Sequence, residues 1–209
     1  MNERYEIAME IDGHLARWTR PDCGDSFGTY PAPTYSAAKG IFESICFLRS
    51  VNVMPYKVEI CSSLKHVALT TNYSGIHRKA DQITKGNAIQ NKCTALEDVC
   101  YKIYACVEGN GDVYYQNENG VKINSAHFYQ ERFEKRLKNG QSYTTPFLGI
   151  KGLVPTYIGP LREETHVEAS INIVLPSMTK FGFGANHGGS MADRVFLNNV
   201  HIKNGTLVY

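Results

Sequence analysis

The chain opens on a two-residue alternation. Tyr5, Ile7, Met9 and Ile11 are apolar or aromatic, Glu6 and Glu10 lie between them, and this period predicts a half-buried strand. Tyr56 to Ser62 alternates in the same way and predicts a second strand, expected to pair with the first. Val99 to Val107 is the stretch richest in β-branched and aromatic residues and predicts a central strand. Asn110-Gly111 and Asn119-Gly120 mark turns around a short strand at Val113 to Tyr115. Elsewhere the spacing becomes helical. Thr34 is placed to cap a helix from Tyr35 to Leu48, with Ala37, Ile41, Ile45 and Leu48 on one face. From Ser125 a second helix carries an apolar stripe of Tyr129, Phe133 and Leu137 beside basic Arg132, Lys135, Arg136 and Lys138, and Gly140 stops it.

Three stretches follow neither period. The segment from Asp12 to Pro33, rich in Gly, Pro, Asp and Thr, reads as a long loop. Leu64 to Lys92 is the most basic part of the chain, with Lys65, Arg78, Lys79, Lys85 and Lys92 facing only Asp81. It is either a solvated loop or a protruding hairpin ordered against a phosphate backbone. Gly182, Gly184, Gly188 and Gly189 beside Asn186 and His187 form either a phosphate-binding nest or a plain connection. The last ten residues, Val200 to Tyr209, are two alternating runs joined by Asn204-Gly205, a type I′ hairpin pattern that with Ile171 to Leu175 predicts a small separate sheet. The order β-α-β-β-α-β then predicts an α+β fold. It is an RRM-like or ferredoxin-like antiparallel sheet with two helices on one face and a protruding basic hairpin. The expected division is an RRM-like domain over 1–160, with the hairpin inserted at about 64–93, and a small C-terminal β domain over 161–209.

With 43% hydrophobic and 20% charged residues among 209, disorder is excluded. A formal net charge of only +2 means that affinity for a polyanion has to come from local clustering of Lys and Arg. The six cysteines make no C-x-x-C pair and read as reduced thiols; the N-terminus lacks a signal-peptide core, and no apolar run reaches membrane length. A cytoplasmic protein with no membrane association is expected. No metal-ligand spacing, Walker motif or Ser-His-Asp pattern is present, so neither metal nor cofactor is expected.

Three separated segments resemble one family. Gly13-His14-Leu15-Ala16-Arg17-Trp18-Thr19-Arg20-Pro21 is similar to its glycine-led opening stretch. Pro33-Thr34-Tyr35-Ser36-Ala37-Ala38-Lys39-Gly40-Ile41 is similar to its Pro-[Ser/Thr]-x-x-Ala-x-[Arg/Lys]-Gly-Ile helix start. Arg132 to Tyr143 with Thr145-Pro146-Phe147-Leu148-Gly149 resembles a basic helix, a Gly-Gln turn and a Pro-aromatic-Leu-Gly strand. The family is the CRISPR-associated protein 5 family, above all its type I-C branch. Where branch members continue with Arg-Glu-Phe this chain has Lys151-Gly152-Leu153, a divergent feature. The resemblance implies a subunit that holds the 5′ handle of the guide RNA at one end of a filament of backbone subunits, beside a large subunit, and meets target DNA only indirectly. A single-stranded handle is gripped by aromatic stacking plus cations on phosphates. The candidates for that role are Arg17, Trp18, Arg20, Tyr30, Lys39, Arg78, Lys79, Lys85, Arg132 and Arg136.

The resemblance also implies metal-independent cleavage of precursor RNA by attack of a 2′-hydroxyl on the adjacent phosphate, which needs a base, an acid and a cation. In the branch these map to a Tyr in the first helix and a Lys-His pair opening the second. Here Cys46 falls on the Tyr position, Phe128 and Tyr129 fall on the Lys-His positions, and His127 lies beside them. His127, Tyr129 and Lys122 are therefore the catalytic candidates. Two readings stay open, an endoribonuclease that matures its own guide and a purely binding, architectural subunit.

Overall fold

A computed structural model of the chain describes residues 5–23, 27–73, 79–85, 89–110, 114–116, 119–181 and 195–209. The elements are β1 (Tyr5–Ala16), β2 (Trp18–Arg20), β3 (Gly28–Tyr30), α1 (Tyr35–Ile45), β4 (Val51–Ile60), β5 (Lys65–Tyr73), α2 (Ala80–Thr84) and β6 (Ile89–Gly109). They continue with β7 (Tyr114–Gln116), β8 (Lys122–Asn124), α3 (Ser125–Lys138), β9 (Tyr157–Gly159), β10 (Ile173–Phe181), β11 (Val195–Lys203) and β12 (Thr206–Val208). The architecture is mixed α/β, with one large antiparallel sheet in the order β10-β11-β12-β4-β6-β1-β9 and β5 added on β6. Two small ribbons, β2-β3 and β7-β8, stand apart from it.

The two longer helices start where side chains can satisfy orphan amides: Thr34 accepts from the Ala37 amide and Asn124 from the His127 amide. At the other end of α3 the Gly140 amide donates to the Leu137 carbonyl and Gln141 to Arg136, the pairing of a Schellman stop at the left-handed Gly140. Both helices pack on the face of the sheet that carries Ile7, Met9 and Ile11 of β1, Tyr101, Ile103 and Ala105 of β6, and Val53 and Val58 of β4. Ala38, Ile41, Phe42 and Ile45 of α1 and Tyr129, Phe133 and Leu137 of α3 close this core, with Phe42 and Phe133 at 5.6 Å between ring centroids. Each such large apolar side chain contributes about 1.5–3 kcal/mol by leaving water.

The opposite face is polar. Glu10, at a position the alternation marks as outward, is completely buried because the segment after β9 crosses over it. Arg162 donates to Glu10 from its amide (2.8 Å) and from Nε (2.7 Å), Thr165 Oγ1 donates at 2.8 Å, and the Arg162 guanidinium also reaches Asp12 Oδ2 at 2.7 Å. Lys102 is held by the carbonyls of Arg162 and Thr165.

Several expectations are corrected. The Asp12 to Pro33 segment is not one long loop: β1 runs on to Ala16, and Trp18–Arg20 pairs with Gly28–Tyr30. The second strand does not pair with the first; β6 lies between β4 and β1 because its length lets it pair with both. The C-terminal strands are not a sheet of their own. Thr206 to Val208 pairs with Glu59 to Lys57, so β10, β11 and β12 extend the main sheet. Between Leu64 and Lys92 the hairpin alternative is the one observed, with β5 antiparallel to the first half of β6 from Lys65↔Glu97 to Tyr73↔Ile89.

The first and third family-like segments interlock. The Arg17 amide donates to the Leu148 carbonyl at 3.0 Å, and Leu148 is fully buried. A Cβ on Gly13 would strike the Leu148 side chain, and one on Gly149, at φ +93°, would strike the Arg17 carbonyl. Glycine at position 149 is therefore a requirement of the close approach, whereas at Gly13 the Leu148 methyl would have to move.

Candidate nucleic-acid interface

Helix α3 turns Tyr129, Phe133 and Leu137 into the core, so the positions between them are presented outward at helical spacing. There Phe128, Glu131, Arg132, Lys135 and Arg136 line a groove of about 650 Å³ closed by Gln116, Asn119 and Ile123 of the β7-β8 ribbon and by Gln141. Tyr115 stacks on Phe128 with centroids 4.3 Å apart and planes 7° from parallel, and the Arg132 guanidinium lies 6.0 Å from the Phe128 ring. Three cations against one carboxylate, next to an aromatic pair, form a surface suited to a single-stranded polyanion. Arg136 is partly committed within the protein: its Nε donates to the Ile45 carbonyl at 2.7 Å, where the end of α1 leaves carbonyls without helical partners. Arg132 is exposed.

Cys46, at the family's Tyr position, is buried at the end of α1, and its carbonyl accepts the Tyr129 hydroxyl at 2.7 Å. Burial pushes the Cys46 thiol above its ordinary pKa, and the charges of Arg132 and Arg136 oppose that. Tyr129 is fully buried, stacks on Phe133, and has its phenol pushed far up by burial. It is a core residue whose hydroxyl is engaged inside the protein. His127 is part-exposed, with its ring edge-on to Tyr5 at 5.6 Å and Nε2 3.9 Å from Glu131 Oε1. Its Nδ1 is buried with no hydrogen-bond partner among the described residues. Lys122 is exposed on β8. Thus α3 sends His127 and Tyr129, two residues apart, to different surroundings, and only His127 has access to solvent for proton transfer.

Two of the expected stacking residues are also core residues. Trp18 and Tyr30 are each 1% exposed. Trp18 Nε1 donates to the Tyr101 hydroxyl at 3.1 Å, and Tyr101 in turn donates to the Pro31 carbonyl at 3.0 Å, so the indole is fixed with no face for a base. The cations of this region are engaged as well. Arg20 binds both oxygens of Asp22 at 3.1 and 2.6 Å and lies over Tyr30; Arg17 lies over Phe27; Lys39 donates to Asn52 at 2.7 Å. On the hairpin, Lys79 and Lys85 are exposed on either side of α2. Arg78 and the Gly-rich run 182–189 lie outside the described residues. Among the described residues no helix is long and apolar enough to cross a membrane.

Sequence patterning missed the Tyr115–Phe128 stack, Gln116 and Gln141. The available signal was the Asn119-Gly120 turn, which folds β7 back on β8 and brings Tyr115 opposite Ile123, next to the start of α3.

A family model described as CRISPR-associated protein (Cas_Cas5) matches residues 6–169. The CRISPR pre-crRNA endoribonuclease Cas5d of Thermus thermophilus is 28% identical over 155 residues, 74% of this chain and 63% of that protein, so the chain spans less than two thirds of that relative. The protein of the same description from Mannheimia succiniciproducens is 26% identical over 162 residues, 69% of this chain and 68% of that one. A crystal structure of a CRISPR-associated protein has a TM-score of 0.69 at 18% identity, covering 99% of this chain and 93% of that chain. A functionally uncharacterized protein from Streptococcus mutans has a TM-score of 0.66 at 16% identity with the same coverage, and both share the fold.

Proposed function

The chain belongs to the CRISPR-associated protein 5 family, as a divergent member of its type I-C branch, and from that premise we propose that it binds and caps the 5′ handle of the guide RNA. In this reading it is one subunit of a type I CRISPR effector complex, in contact with backbone and large subunits. The observation that carries the proposal is the groove of α3, where Arg132, Lys135 and Arg136 gather beside the stacked Phe128 and Tyr115 in a chain of nearly balanced charge. Phosphates take the cations, and a splayed base takes the aromatic edge. The β5-β6 hairpin, with Lys79 and Lys85, supplies a second set of phosphate contacts. The strand order β9-β1-β6-β4, all antiparallel, with α1 following β1 and α3 following β6, supports the finer reading of a ferredoxin-like core. The opposite face of that core is covered at Glu10 by the segment after β9, and Glu10, Asp12 and Glu59 there are paired with Arg162 and Lys57, so the α3 groove and the hairpin are the surfaces left to RNA. Residues 1–160 hold these RNA-facing elements, and 161–209 form the appended β unit.

A second reading, that the protein also cleaves precursor RNA, is favoured by the two relatives, each described as a pre-crRNA endoribonuclease, and by the part-exposed His127. The deciding experiment incubates the protein, in chelator, with its cognate repeat RNA and with a repeat carrying a 2′-deoxy substitution at the cut site. Binding of both RNAs is expected. Cutting of the normal RNA alone adds the nuclease activity, binding without cutting leaves a handle-capping subunit, and binding of neither overturns the proposal.

A further inference from the structure

The polar face of the sheet carries a pair of thiols that RNA binding does not use. Ile60 of β4 is opposite Tyr101 of β6, so the next residues along, Cys61 and Cys100, face each other. The Cys61 amide donates to the Cys100 carbonyl at 2.8 Å while the Cys100 amide donates to Ser62 Oγ at 3.0 Å, and directly opposed residues of antiparallel strands have Cα atoms about 4.5–5.5 Å apart with side chains on the same face. That separation lies inside the range a disulfide spans, roughly 4.4–6.8 Å. Both residues are part-exposed, and Cys61 Sγ donates to the Glu59 carbonyl at 3.7 Å. Cys100 Sγ also donates to Glu10 Oε1 at 3.6 Å, with Arg162 Nη2 3.9 Å away. Among the described residues no group of three His, Cys, Asp or Glu side chains could hold a metal ion.

We propose that Cys61 and Cys100 form a reversible disulfide by exchange with a low-molecular-weight disulfide of the glutathione type. The pair is built asymmetrically. The neighbouring Cys100 thiol holds the Cys61 thiol below its ordinary pKa against burial, with help from Lys102, whereas Cys61, burial and Glu10 push Cys100 far up. Cys61 is the attacking thiolate. Its sulfur bonds to one sulfur of the oxidised reagent, whose S–S bond breaks and releases one thiol. Cys100 sulfur then attacks the mixed disulfide at Cys61 and releases the second thiol. Two protein thiols are oxidised, one reagent disulfide is reduced, and both thiol protons end on the released thiols. Cys61 follows the end of β4, before β5, and Cys100 lies in β6 just past the Lys65↔Glu97 pair, so the link staples the base of the projecting hairpin. The proposal does not depend on the function of that hairpin.

The test is incubation of the full chain with oxidised glutathione, followed by peptide mass spectrometry. The expected product is a Cys61–Cys100 cross-linked peptide that disappears with reductant, and Cys100→Ser should instead retain a stable glutathione adduct on Cys61. A glutathione adduct persisting on Cys61 in the unsubstituted chain, a cross-link between other cysteines, or no loss of these two thiols would each overturn it.

Discussion

At the scale of single residues, exposure decides which side chains can meet RNA. The catalytic candidates on α3 share a helix but not an environment. His127 keeps a solvent-facing ring nitrogen near Glu131, whereas the Tyr129 hydroxyl is spent on the Cys46 carbonyl. His127→Ala is expected to leave handle affinity unchanged and to remove any cleavage of repeat RNA; cleavage at the normal rate would take His127 out of the chemistry. Tyr129→Phe loses a buried hydrogen bond and leaves the Cys46 carbonyl unpaired, a cost to stability of about 1–2 kcal/mol, with RNA binding and cutting intact. Trp18 and Tyr30 were the aromatic residues hardest to judge from sequence. Nothing in their spacing shows that Trp18 finds its partner in Tyr101, a residue of a strand far along the chain.

Secondary elements were more legible than their edges. The helix over Ser125 to Gly140 is observed over Ser125–Lys138, since its apolar stripe, its Asn124 cap and its Gly140 stop all agree. The strand expected at Val99 to Val107 is in fact Ile89–Gly109, because the polar Gln90 to Lys92 and Glu97-Asp98 interrupt the apolar pattern of its first half, which pairs with β5. Val51 to Pro55 was missed because Pro55 reads as a strand breaker, yet it sits at a register shift against β6, where a missing amide is tolerated. The long basic stretch resolves into the β5-β6 hairpin with α2 between its strands. A projecting hairpin that meets single-stranded RNA through its lysines releases counterions when it binds. Changing Lys79 and Lys85 together to Glu should therefore flatten the dependence of log affinity on log salt by about 0.7 for each phosphate that is no longer neutralised. An unchanged slope would remove the hairpin from the RNA-binding surface.

Across the whole molecule, the sheet's polar face and its apolar face are held by different physics, and only the second was legible as a pattern. The apolar face follows the alternation of β1, β4 and β6. The polar face depends on a segment more than a hundred residues downstream, which brings Arg162 and Thr165 onto Glu10, and no local periodicity announces that. Burial pushes the Glu10 carboxyl up, but hydrogen bonds from the Arg162 amide and guanidinium and from Thr165, with the Arg162 charge, outweigh it and hold the group below its ordinary 4.5. A carboxylate whose folded pKa is depressed contributes stability that is fully present above the unfolded value and is lost as pH falls through the folded one. Glu10→Gln keeps the shape and removes the charge, leaving Arg162 to Asp12 alone, so at neutral pH it should cost about 3 kcal/mol. Urea unfolding of both proteins across pH reads the linkage directly. The gap between them should hold from neutrality down to the ordinary carboxylate range and then narrow as Glu10 takes up its proton. A gap of constant size through the acid range would mean that the segment after β9 is held to the sheet by packing and not by this ion pair.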